Sequence, residues 1–128
     1  MLMNVYVGAI ILALSTLPAH ALDDGEFCAD MTEQARTGQL EAAVWLDENT
    51  REETVNVRCP MRMIEFRRHL DMPSSDLTDE WRQREKNRWN EAHCSDPLWR
   101  EAIRAGWTIA STLITTTGER IWFTARCR

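Results

Sequence analysis

From Trp107 onward the chain alternates apolar and polar positions with a period of two. Trp107, Ile109, Ser111 and Leu113 share one face, and after the turn signal TTTGE the residues Ile121, Phe123, Ala125 and Cys127 share one face again. That pattern predicts a β-hairpin. A weaker alternation spans residues 40–50 (LEAAVWLDENT), with the polar run DENTREE as a hairpin tip. Beyond it Val55, Val57, Cys59 and Met61 lie on one face, and then Ile64, Phe66 and Leu70 continue on even numbers. A period-two pattern that slips by one residue beside a proline, here Pro60, predicts a single long strand with a bulge or bend.

Elsewhere the apolar spacing lengthens to three and four. Phe27, Met31 and Ala35 form one stripe and predict a helix over 26–37, stopped by Gly38. Ser75, Asp76 and Thr78 are candidate N-caps for a helix reaching about His93, with Leu77, Trp81, Arg88 and Ala92 on one side and Trp89 at its margin. Asp96 caps a shorter helix that has Pro97 at its first position, Arg100 and Arg104 toward the negative end of its dipole, and Gly106 as a left-handed stop. The order is α-β-β-α-α-β-β. It predicts an α+β fold: an antiparallel four-stranded sheet of two hairpins, with the helices packed on one face.

The first 21 residues read differently. An apolar run from Val5 to Leu14, Pro18 and then Ala19-His20-Ala21 have the layout of a secretory signal peptide, although the leading segment carries no Lys or Arg. The apolar run is short for a membrane span, so cleavage after Ala21 is expected rather than retention as an anchor. Residues 22–128 then form a single domain with one modest core.

Charge narrows the possible partners. With 15 basic and 20 acidic residues, the net charge of −5 argues against nucleic acid. All basic residues but one are arginine.

All four cysteines, Cys28, Cys59, Cys94 and Cys127, follow the expected cleavage site. An even count in a small exported chain reads as two disulfides. No C-x-x-C occurs and the thiols stand 31, 35 and 33 positions apart, so neither a metal nor another cofactor is expected. Three pairings are open. Cys28–Cys59 and Cys94–Cys127 are preferred because each joins a helix to a strand nearby in the chain.

Cys94-Ser-Asp-Pro, an Ile-x-x-Gly helix end, a strand, a Thr/Gly turn and a last strand ending in Cys127 together resemble the type II secretion pilotins of the AspS type. The resemblance is best between Cys94 and Cys127; upstream it is one of order and length. It implies a helix–β–β–helix–β–β domain closed by one disulfide at these two places, and a role in secretin assembly. The chain departs from that family in having no cysteine at the cleavage point to carry a lipid, and in its second cysteine pair.

Catalytic motifs are absent: there is no G-x-S-x-G, H-E-x-x-H, phosphate loop or G-x-G-x-x-G. His93 adjoins Cys94, but neighbouring helical residues diverge by about 100° and a disulfide-bonded cysteine is no nucleophile. His69 and Asp71 could share a strand face for general-base work, with no partner nucleophile assigned. The tryptophans say more. There are six, and Trp81, Trp89, Trp99 and Trp107 fall where a helix–sheet core would take them. Trp122 alternates out of phase with Ile121 and Phe123, and Arg120, Thr124 and Arg126 share its face; Trp45 alternates against Val44 and Leu46 in the same way. Aromatic side chains among arginines are the composition of binding hot spots, and an ordinary outer sheet face that tolerates a large β-former is the competing reading.

The expected function is therefore a small periplasmic or secreted protein-binding module, pilotin-like or an assembly accessory factor, without catalytic activity. Its expected partner is another periplasmic or envelope protein, bound through Trp122, Arg120, Arg126 and Trp45. A periplasmic inhibitor or immunity-type protein, and a small enzyme using His69 or His93, are the alternatives.

Overall fold

The computed structural model describes residues 22–40 and 50–128. The first helix, α1 (Asp24–Arg36), starts where Asp23 accepts the Glu26 backbone N–H at 2.9 Å, two residues before the position expected from the apolar stripe. Four strands follow in two hairpins: β1 (Thr50–Arg58) with β2 (Met63–Leu70), and β3 (Thr108–Ile114) with β4 (Arg120–Thr124). Between the hairpins lie α2 (Asp79–Cys94) and α3 (Pro97–Arg104). Single 3₁₀ turns at Cys59–Met61 and Ser74–Asp76 add to the expected order.

Two expectations about the sheet are corrected. The sheet is mixed, ordered β1-β2-β3-β4, because β2 and β3 run parallel. The chain leaves β2, passes through both helices and returns to the end where β2 began, and a connection of that length is what a parallel pair needs. The second correction concerns the long kinked strand, which is instead two strands. The phase slip at Pro60 is the hairpin turn itself, closed by Arg62 in the left-handed region (φ 48°) with its N–H on the Cys59 carbonyl at 3.1 Å. DENTREE is thus not the hairpin tip, since its last four residues, 50–53, lie within β1. The strand expected over 40–50 falls almost wholly outside the described residues.

All three helices send their buried side chains to one face of the sheet. Phe27, Cys28 and Met31 from α1, Trp89 from α2 and Ala102 from α3 pack on Ile64, Phe66, Leu70, Ile109, Leu113 and Phe123. The inward stripe of α2 is Glu85, Trp89 and His93, at i, i+4 and i+8. Trp89 is therefore at the centre of that face, not its margin, and Arg88 is exposed. Trp89 and Phe66 meet edge to face at 5.4 Å between centroids, and Phe27 and Trp107 do so at 4.8 Å, the geometry aromatic quadrupoles favour.

Both disulfides form as paired in the sequence reading: Cys28–Cys59 ties α1 to the first hairpin turn, and Cys94–Cys127 ties the end of α2 to the segment after β4. Two such bonds mark a chain that matures in an oxidising, non-cytoplasmic compartment. No helix among the described residues is long and apolar enough to cross a membrane.

Candidate functional site

The face of the sheet turned away from the helices carries the polar half of each alternation. Register sets Thr54, Arg67, Thr112 and Trp122 in one row across the four strands, and Asn56, Glu65, Ala110 and Thr124 in the next. Near the middle of this face sits one carboxylate. Glu65 accepts from the Thr112 hydroxyl at 2.7 Å and from the Asn56 amide at 3.4 Å, and it faces Arg67 at 3.4 Å and Arg58 at 3.7 Å. Burial pushes its pKa up, but Thr112, Arg67, Asn56 and Arg58 together hold it below the usual carboxylate range. Glu65 stays ionised and cancels one of its two arginines, which leaves that part of the face net cationic.

Trp122 stands two strands away from Glu65, beyond Thr112 of β3, 56 % exposed in the middle of β4. With Phe123, Thr124 and Arg126 it forms one wall of a cleft of about 350 Å³, and Lys86 and Asn90, one turn apart on α2, form the other. Two of these six residues are cationic and none is acidic. Arg126 is fastened there by its backbone, whose N–H donates to Asn90 Oδ1 at 2.9 Å. The Cys94–Cys127 bond closes the same end of the cleft by joining the two elements that form its walls.

The expected binding residues are thus placed unequally. Trp122 and Arg126 share the cleft. Arg120 is exposed on β4 opposite Ile114 and does not line it. Trp45 lies outside the described residues. Lys86, Asn90 and the Glu65 cluster were not singled out from sequence. Lys86 and Asn90 carry an i, i+4 signal that they share a helix face, but nothing local says which strand that face meets.

The histidines are held in different ways. His93 is buried against Trp89, Trp99 and Phe66, with Nδ1 at 2.8 Å from the Trp89 carbonyl oxygen. Burial lowers its pKa, the Trp89 carbonyl and Asp96 only partly offset that, and Arg68 lowers it further. The ring is a neutral member of the core at pH 7, and its neighbour Cys94 is spent in a disulfide. His69 lies at the end of β2, paired with Ile114 of β3. Among the described residues no three His, Cys, Asp or Glu side chains cluster as metal ligands do.

Fold and surface together describe a small, doubly disulfide-bonded α+β domain in which, among the described residues, one large aromatic side chain, Trp122, is left in solvent beside a cationic cleft. No family model, curated protein or solved structure matches the chain.

Proposed function

We propose that this chain is an exported protein-binding module, periplasmic or secreted, that acts as a pilotin-like or assembly accessory factor and works without catalysis. The observation that carries the reading is Trp122. A tryptophan 56 % exposed within a paired strand keeps a large apolar surface in water. Tryptophan and arginine together are the residues whose burial dominates protein–protein binding, and here Trp122 shares a cleft with Arg126 and Lys86. The disulfides support export, and the signal-like first 21 residues agree with it.

The test is affinity capture from an envelope extract with the oxidised wild type and with Trp122→Ala, after both are shown to melt at the same temperature. The reading expects a partner held by the wild type and lost by Trp122→Ala. A partner retained equally by both places the contact elsewhere. The His69→Ala and His93→Gln variants should hold the partner as the wild type does.

A further inference from the structure

Among the described residues β4 lies at the edge of the sheet, and its backbone divides into groups turned toward β3 and groups turned outward. The Ala125 N–H donates to the Ile109 carbonyl at 2.9 Å, and Thr115 N–H donates to the Glu119 carbonyl at 3.0 Å. In an antiparallel pair the residues that exchange such bonds alternate with residues whose backbone points the other way. Glu119, Ile121, Phe123 and Ala125 therefore face β3, while Arg120, Trp122, Thr124 and Arg126 turn their N–H and C=O groups to the outer edge. The last of these N–H groups, that of Arg126, is taken by Asn90. Trp122 and Thr124, whose N–H groups turn to the same edge, line the cleft between β4 and α2.

Unpaired edge groups are a template for another strand. Proteins protect such edges with charge, with bulges or by covering them. Here α2 stands beside the edge and presents Lys86 and Asn90, so a wall flanks the template instead of closing it.

Resting on the protein-binding reading above, we infer that β4 takes an extended, acidic segment of a partner protein as a fifth strand, bonded to the backbone of Trp122 and Thr124. Backbone bonds supply the docking, and alternate side chains of the added strand read the two walls. Residues turned toward α2 meet the Lys86 ammonium and are Asp or Glu. Residues turned to the outer face lie on the Trp122 indole and are apolar. The charge follows from the cleft: two cations, no carboxylate, in a chain whose net charge is −5. Asn90 fixes where the added strand ends, because it already occupies the Arg126 N–H.

The test uses the oxidised full-length protein and synthetic ten-residue peptides of three kinds. One alternates Glu with Val, the second alternates Lys with Val, and the third is the Glu peptide with every second backbone nitrogen methylated, made in both phases. Binding is read by amide hydrogen exchange resolved by residue. The inference expects the Glu peptide to slow exchange at Trp122 and Thr124 by about tenfold or more, the Lys peptide to do so far less, and methylation in one phase to abolish the effect. Lys86→Gln should weaken the Glu peptide about threefold to fivefold. Failure to protect these two amides at millimolar peptide, or equal protection after methylation in either phase, overturns strand addition. Binding that is lost in Trp122→Ala but never protects the two amides overturns it as well, while leaving the Trp122 surface as the docking site.

Discussion

The indole N–H of Trp89 donates to the carbonyl oxygen of Ile109 at 3.1 Å, and the same oxygen accepts the Ala125 N–H at 2.9 Å. One acceptor in β3 thus fastens both the middle of α2 and the tail of the chain. It holds together the two elements that wall the cleft.

Trp89 is fully buried, so its replacement should be among the costliest in the chain. Trp89→Ala should lose about 3–5 kcal/mol of stability through the cavity and the lost contacts. Trp89→Phe keeps most of the ring but removes the donor, and should lose about 1–2 kcal/mol. Urea unfolding followed by circular dichroism measures both. A Trp89→Phe protein as stable as the wild type would remove this bond from the account.

The Cys94–Cys127 bond closes a sequence separation of 33, for which the chain-entropy model gives about 3–4 kcal/mol. Replacing both cysteines by alanine should lower stability by that amount. It should also speed amide exchange at Ala125 and Arg126, since the tail is then fastened only by Ile109 and Asn90. Replacing Cys28 and Cys59 should cost a similar amount globally, at a separation of 31, and leave exchange at Ala125 and Arg126 tracking the global change.

His93 gives a sign to the acid dependence. Its folded pKa lies below the ordinary 6.5, so between those values the unfolded chain binds a proton that the native chain refuses. Stability is therefore insensitive to this group above about pH 6.5 and falls as the pH drops below it. The carboxyl of Glu65 acts in the same direction lower down: its pKa is held below the ordinary 4.5, so its contribution is present above that value and lost as the pH falls through the folded one. The melting temperature of His93→Gln should decline less steeply than that of the wild type between pH 6.5 and 5. An identical slope in the variant would assign the acid sensitivity to other groups.

Trp122 should behave in the opposite way to Trp89. Its side chain is 56 % exposed, so Trp122→Ala should shift stability by no more than about 0.5–1 kcal/mol. Calorimetry checks this, and a large loss would make Trp122 a structural residue and weaken its reading as a contact surface.

Local rules carried much of the fold. The Asp96–Pro97 helix start is observed, with Asp96 Oδ1 accepting the Leu98 N–H at 2.9 Å. The inward set of β3 is observed too, with Ile109, Ser111 and Leu113 fully buried. The alternation alone predicts one bent strand where the first hairpin stands, because a bulge and a tight turn give the same slip, and only the left-handed Arg62 distinguishes them. The parallel pairing of β2 and β3 leaves no local trace, since a strand's face pattern is indifferent to its neighbour's direction. Both faces of β3 are buried, which fits a central strand, yet Ala110 and Thr112 look like outward positions in the sequence. The candidate site was half legible for the same reason: Trp122 and Arg126 are four residues apart, on β4 and just past its end, whereas Lys86 and Asn90 join them only once α2 lies along β4.

Lys86 is the sole lysine of the chain and stands in the cleft, so carbodiimide coupling in intact cells tests the binding surface most directly. Mapping of the cross-linked peptides should find the Lys86 amine joined to an Asp or Glu of a different protein, with the yield strongly reduced in Trp122→Ala. Lys86 left uncoupled, or coupled to the same partner in equal yield without Trp122, would contradict the account.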